Sequence, residues 1–262
     1  MIAVIMAGGQ GKRMESNLPK VLCKVCGVPM IIRIINTLKN LSYYKNLKKI
    51  IIVVGKYKNE IKNVIDNFID NDVYFPKIVY VIQKETLGTG HALMCCNDEL
   101  IKYPKTDILI LSGDVPMLSI DTIKDLLDVN SDIKIITTTI NEPYSYGRII
   151  LKDGKFNKIV EENDCDENEL KILTVNCGIY CIKSELLCNN FKYLKNDNCQ
   201  SEYYLTDIIE IINKREKIDV GMLNIDKEKI HEIMGINTIN QLTKLEELIK
   251  IERKRKLCKD CI

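Results

Sequence analysis

Three stretches of the chain hold residues whose types and spacing suit chemistry on a phosphate. The first, AGGQGKRMESNLPK (residues 7–20), sets Gly8, Gly9 and Gly11 close to Arg13 and Lys20. Glycines let a backbone approach a guest and aim successive N–H groups at it, and phosphate is the commonest such guest. Arginine and lysine beside that turn balance phosphoryl charge. Two familiar phosphate loops do not fit: the dinucleotide fingerprint needs a third glycine where Met14 stands, and the Walker A pattern needs Ser or Thr where Arg13 follows Gly11 and Lys12. The second stretch, QKETLGTGHAL (residues 83–93), opens with Gln83, whose amide carries both donors and an acceptor for a base edge. A further close-approach turn, Gly88-Thr89-Gly90, follows it. His91 reads either as an acid–base group or as a residue that packs the turn, and phosphoryl transfer from a nucleotide needs no histidine. In the third stretch, LILSGDVPML (residues 109–118), Asp114 follows an apolar run. It reads as a divalent-cation ligand or as a cap on the turn before Pro116.

These residues need a scaffold that brings strand ends together, and the pattern of the chain supplies one. IAVIM, KIIIVVG, KIVYVIQ, DILILSGD and IKIITTTI read as strands. PMIIRIINTLKNL, NEIKNVIDNFI, GHALMCCNDEL and IDTIKDLLD lie between them with helical spacing. That alternation predicts an α/β fold with a doubly wound, mostly parallel sheet, whose ligands sit at the carboxyl ends of the strands. The second half predicts a hairpin around Asp153-Gly154, a strand in LTVNCGIYCI, a helix over EYYLTDIIEIINK, a strand in DVGMLNI and a last helix from about Thr238 to Lys256. One domain over residues 1–228 and a helical arm with a basic tail over residues 229–262 are expected. The arm either packs on its own domain or pairs with a second copy, which leaves a homodimer open.

A net charge of +2 gives no general pull toward nucleic acid or an anionic membrane. No apolar run reaches membrane-spanning length and no charged leader precedes the first strand, so a cytoplasmic location is expected. Eleven cysteines in a chain of this kind read as reduced thiols. The C-x-x-C pairs Cys23/Cys26 and Cys258/Cys261 read as small apolar residues and a tail ahead of a shared zinc site.

The blocks AGGQGKRM, PKVL, GVPMI, QKETLGTGHAL, LSGDVPML, YGRII, IVEENDCDE, VNCGIYCI, SEYYLTDII and GINTINQLTKLE stand in an order and spacing that resembles one known family. It is the uridylyltransferase domain of the bacterial bifunctional N-acetylglucosamine-1-phosphate uridyltransferase, and the resemblance runs from about residue 2 to residue 250. It implies a Rossmann-like nucleotidyltransferase fold that joins UTP to a sugar 1-phosphate with Mg²⁺. By that resemblance Met6, Ala7, Gly8, Gly9 and Gly11 hold the nucleotide with Ser112 and Gly113. Gln83, Gly88 and Thr89 read uracil, and Arg13 and Lys20 stabilise the phosphates. Asp114 and Asn237 hold the metal, while Gly147, Glu161 and Asn176 face the amino sugar. Tyr203, Tyr204 and Asp207 fall in the block matched beside the sugar pocket.

Several positions depart from the family pattern. Lys12 stands for a usual Thr, Ser112 for an aromatic, Cys23 for His, Cys177 for Thr and Asn163 for Lys. The hexapeptide repeats that perform acetyl transfer in the bifunctional proteins are not in this sequence. The expectation is therefore uridylyl transfer without an acetyl-CoA site. The rival readings are the same reaction on another sugar 1-phosphate, such as glucose 1-phosphate, and a non-catalytic nucleotide-sugar sensor.

Overall fold

The computed structural model describes residues 1–9, 14, 18–69 and 75–259. Strand β1 (Ile2–Met6) lies inside the main sheet, paired in parallel with β4 (Lys49–Val54) on one side and β6 (Asp107–Ser112) on the other. Beyond β4 runs β5 (Lys77–Ile82), also parallel. These are the runs rich in Ile and Val, and strands covered on both faces need apolar residues at consecutive positions. Ile2 and Val4 belong to one core and Ala3 and Ile5 to the other, as the two-residue period of a strand requires.

Helices cover both faces. The helices α1 (Met30–Ser42), α2 (Lys58–Ile69) and α5 (Ile120–Asp128) pack Ile31, Ile35, Ile61, Ile65 and Ile123 on the Ala3 side. On the other side α3 (Thr89–Met94), α4 (Asn97–Leu100), α6 (Ser184–Asn190) and α7 (Leu205–Glu216) pack Leu93, Leu100, Leu187 and Ile208. The sheet is therefore doubly wound and mostly parallel. Along the main path of the sheet the exception is β10 (Thr174–Lys183), which runs antiparallel between β6 and β7 (Ile133–Thr139), with β11 (Gly221–Ile225) parallel to β7 at the edge; an antiparallel hairpin joins off that path through β10.

The hairpin around Asp153-Gly154 is present as β8 (Arg148–Lys152) and β9 (Lys155–Val160). Both turn residues have positive φ, 52° and 74°, as a two-residue turn matched to strand twist demands. Two expected helices differ from their sequence reading. GHALMCCNDEL divides into α3 and α4 at Cys95 and Cys96. The helix expected from Glu202 starts only at Leu205, because Tyr204 is extended and the Tyr203 backbone is tied elsewhere: its N–H donates to Leu87 O at 2.8 Å and its carbonyl accepts from Gly90 N at 2.7 Å.

A small hairpin, β2 (Lys24–Val25) and β3 (Val28–Pro29), receives the end of the chain. The short helix α8 (Ile230–Ile233) leads to α9 (Ile239–Lys259). Ile236, Leu245 and Ile249 bury against Met14, Val25 and Met30, so the arm packs on its own domain. Cys23 and Cys26 join this apolar cluster, in line with their reading as small apolar residues. Cys261 lies outside the described residues. No helix among the described residues is long and apolar enough to cross a membrane.

Candidate active site

Parallel pairing puts the carboxyl ends of β1, β4, β5 and β6 along one edge, and the candidate residues follow from there. Ala7 N donates to Val53 O at 2.9 Å and Gly113 N donates to Met6 O at 3.0 Å, which pins the loops after β1 and β6 together. A Cβ on Gly113 would stand 2.6 Å from Met6 O, so only glycine allows that approach. Gly88 meets the same limit with φ 103° and a Cβ position 2.5 Å from Tyr203 O.

Two cavities open on this edge and meet. One, of about 260 Å³, is lined by Met6, Gly8, Gly9, Lys20, Gln83, Gly88 and Thr89. The other, of about 280 Å³, is lined by Tyr146, Gly147, Glu161, Asn176, Cys177, Thr206 and Asn237. Met6, Thr89, Ser112 and Asp114 line both. A volume of this order accommodates a small-molecule group in each lobe.

At the junction Lys20 Nζ donates to Asp114 Oδ2 at 2.5 Å and to Asn237 Oδ1 at 2.8 Å. Ser112 Oγ donates to the other carboxylate oxygen, Asp114 Oδ1, at 2.5 Å. Ile236 N donates to Asp114 O at 2.9 Å, tying the segment before α9 to the loop after β6. Thr238 and Gln241 form a reciprocal cap on α9: Gln241 N donates to Thr238 Oγ1 at 3.2 Å, and Gln241 Oε1 accepts from Asn237 N at 2.7 Å and Thr238 N at 3.1 Å. Helix capping thereby fixes the backbone from which Asn237 projects.

Gln83 is buried, and its Nε2 donates to Gly88 O at 3.0 Å and lies 3.2 Å from His91 Nδ1. His91 thus packs against Gln83 beside the turn. In the other lobe Gly147, Glu161 and Asn176 converge. Asn176 N donates to Gly147 O at 2.9 Å, and its Nδ2 donates to the buried Tyr180 hydroxyl at 2.7 Å. Thr206 Oγ1 donates to Glu161 Oε1 at 2.9 Å; burial raises the Glu161 pKa, and the threonine bond opposes the rise. Burial likewise raises the Tyr146 hydroxyl and the Cys177 thiol.

Of the expected residues, Ala7 and Gly113 pin strand ends and the other described ones line a lobe. Gly11 and Arg13, with Lys12, lie outside the described residues. In the EYYLTD block Leu205 and Thr206 line the second lobe, in place of Tyr203, Tyr204 and Asp207. Thr206, Tyr146, Tyr180 and Gln241 were not singled out from the sequence. Only Gln241 carried a signal there, the T-x-x-Q spacing that opens a helix. Among the described residues no group of three or more His, Cys, Asp or Glu side chains forms a metal cluster.

Residues 3–154 match the family described as the MobA-like NTP transferase domain. A protein of Acanthamoeba polyphaga mimivirus, named as a probable UDP-N-acetylglucosamine pyrophosphorylase, is 41% identical over 251 residues, which is 94% of this chain and 95% of that protein. The bifunctional protein GlmU of Clostridium botulinum (strain 657 / Type Ba4) is 40% identical over 253 residues, 95% of this chain and 52% of the relative. The chain thus spans about half the length of the Clostridium relatives it matches. A solved Bacillus anthracis structure, assigned to glucose-1-phosphate thymidylyltransferase and in complex with sucrose, superposes with a TM-score of 0.70 at 21% identity over 95% of each chain. At that identity the likeness concerns the fold.

Proposed function

The chain belongs to the MobA-like NTP transferase family, and from that premise we propose that it transfers a uridylyl group from UTP to N-acetylglucosamine 1-phosphate, giving UDP-N-acetylglucosamine and pyrophosphate. The observation that carries this reading is the pair of cavities that share Asp114 and Ser112, with the Lys20 ammonium at their junction. A reaction between two phosphates needs that layout: one lobe for each substrate, and positive charge where they meet.

The glycine-lined lobe takes UTP, with Gly8 and Gly9 lining the phosphate side and Gln83 facing the base. Because both amide hydrogens of Gln83 are directed to Gly88 O and His91 Nδ1, its Oε1 is left as an acceptor. Uracil offers N3–H to such an acceptor, whereas cytosine offers a lone pair at the same place. The second lobe takes the sugar phosphate, where Glu161, Asn176 and the Gly147 backbone provide acceptors and donors for hydroxyl and N-acetyl groups. An oxygen of the sugar phosphate attacks the α-phosphorus of UTP. The bond from that phosphorus to the bridging β-oxygen breaks, and pyrophosphate leaves with the electron pair. No covalent enzyme intermediate is required, since such catalysis is mostly positioning and charge neutralisation. Lys20, with Arg13 and Gly11 in the roles given by the resemblance, stabilises the negative charge that develops.

The residues present fit a hard divalent cation: a carboxylate oxygen of Asp114 and an amide oxygen of Asn237 already converge on one cationic atom, Lys20 Nζ. Asp114 and Asn237 would hold Mg²⁺, which when bound neutralises phosphate charge beside the reacting phosphorus. Pyrophosphate release with UTP and Mg²⁺, with N-acetylglucosamine 1-phosphate and glucose 1-phosphate in competition, tests the assignment. Preference for the N-acetylated sugar is expected. Preference for glucose 1-phosphate would keep the chemistry and overturn the sugar, and release with neither would overturn both.

A further inference from the structure

The polar atoms at the lobe junction have assigned partners. Asp114 Oδ1 accepts from Ser112 Oγ, while Asp114 Oδ2 and Asn237 Oδ1 both accept from Lys20 Nζ, at 2.5 and 2.8 Å. The side chains of Lys20 and Asp114 are only 15% and 14% exposed, unlike a loose surface pair. The bridge does not create the clasp that it occupies. Ile236 N on Asp114 O ties the two oxygen-bearing segments together, and Gln241 Oε1 on Asn237 N fixes the second of them, through groups other than Lys20. An ion bound by both oxygens at the ~2.1 Å usual for Mg²⁺ would fall within the volume the ammonium fills. Two cations in one small, partly buried space also repel strongly.

We infer that the Lys20 ammonium and a divalent cation are alternative occupants of the Asp114–Asn237 clasp, and that a nucleotide phosphate draws Lys20 out to admit the metal. The inference rests on the reading of Asp114 and Asn237 as cation ligands. Lys20 lines the glycine lobe together with Gly8 and Gly9, so a triphosphate bound there offers its ammonium other oxygens within the same lobe. Nucleotide and metal then bind with positive coupling, and the coupling is reciprocal. The enzyme avoids leaving either Asp114 or Lys20 without an opposite charge, and it commits metal to the site only when there is phosphate to bridge.

Mn²⁺ binding, read from the electron paramagnetic resonance signal of the free ion without sugar phosphate, tests this apart from turnover. Without nucleotide, Lys20→Met should bind Mn²⁺ at least about tenfold more tightly than wild type, and Lys20→Arg should stay near wild type. With UTP, wild type should gain Mn²⁺ affinity beyond that of UTP alone, and Lys20→Met should gain much less. A Lys20→Met protein that melts like wild type yet binds Mn²⁺ no more tightly overturns the inference. Should that variant fold poorly, the ¹⁵N resonance of the Lys20 ammonium in the wild-type protein decides: it should shift when Mg²⁺ and UTP are added together, and an unmoved signal contradicts the displacement. Asp114→Ala separates the two readings. If it binds Mn²⁺ as wild type does with UTP present, the ligand assignment fails; if it loses that binding while Lys20→Met matches wild type, only the exclusion fails.

Discussion

Asp114→Ala takes a carboxylate out of the junction shared by both lobes and leaves Lys20 with Asn237 alone. Pyrophosphate release should fall by on the order of a thousandfold or more, and full activity with unchanged Mg²⁺ dependence would sink the assignment. Lys20→Ala should cost on the order of a hundredfold, as the loss of one preorganised donor does; a loss below about threefold would make Lys20 a bystander. A third expectation concerns Asp207, whose pKa is pushed up to about 6, first by burial and then by Glu210, Glu161 and Asp164 nearby. In the folded protein this carboxyl holds its proton more tightly than in the unfolded chain. Stability therefore falls as pH rises from about 4 through about 6 and stays reduced above that. Asp207→Asn should raise the melting temperature most at pH 7.5, by about half as much at pH 5 and hardly at all near pH 3, and equal shifts at all three pH values would contradict the cause. Single residues were legible where backbone geometry or charge dictated type, as at Gly88, Gly113 and Asp114. Thr206 and Tyr180 were not, because a hydroxyl that holds another side chain in place leaves no spacing pattern in the sequence.

At the scale of elements, alternating apolar strands and amphipathic helices gave the sheet and its two layers. The strand reversal at β10 could not be read that way, since an apolar run has the same appearance in either direction. The start of α7 was also hidden. The backbone of Tyr203 bonds to Leu87 and Gly90 rather than into a helix, and this is a contact between distant parts of the chain. Thr89 Oγ1 then accepts from Leu205 N at 3.0 Å and satisfies one of the free N–H groups of the new helix. The cap on α9 yields a prediction: Gln241→Ala removes the acceptor for Asn237 N and Thr238 N, and should cost about 1 kcal/mol of stability. It should also raise the Mg²⁺ concentration needed for half-maximal activity more than it raises the KM for the sugar phosphate. A change in both by the same factor would mean that the helix start does not act through Asn237.

Across the whole molecule, one sheet edge collects the ends of four parallel strands beside the glycine-lined lobe. The antiparallel strand, the β8–β9 hairpin and the arm complete the second lobe from the second half of the chain. The family match covers residues 3–154, whereas Glu161, Asn176 and Asn237, to which the proposed function gives sugar and metal contacts, come after them. Leu245 is fully buried in the cluster that seats the arm. Leu245→Ala should cost about 2–5 kcal/mol, and its activity should fall with the Asn237 segment it helps to hold. A variant that unfolds at lower temperature but keeps full activity at 25 °C would separate the arm from the site. The most direct test of uridylyl transfer follows the atoms themselves. N-acetylglucosamine 1-phosphate labelled with ¹⁸O on its phosphate is mixed with UTP, Mg²⁺ and the protein, and both products are weighed by mass spectrometry. All of the label should appear in UDP-N-acetylglucosamine, with unlabelled pyrophosphate formed in equal amount. Label in the pyrophosphate, or pyrophosphate without the nucleotide sugar, would contradict attack by the sugar phosphate on the α-phosphorus.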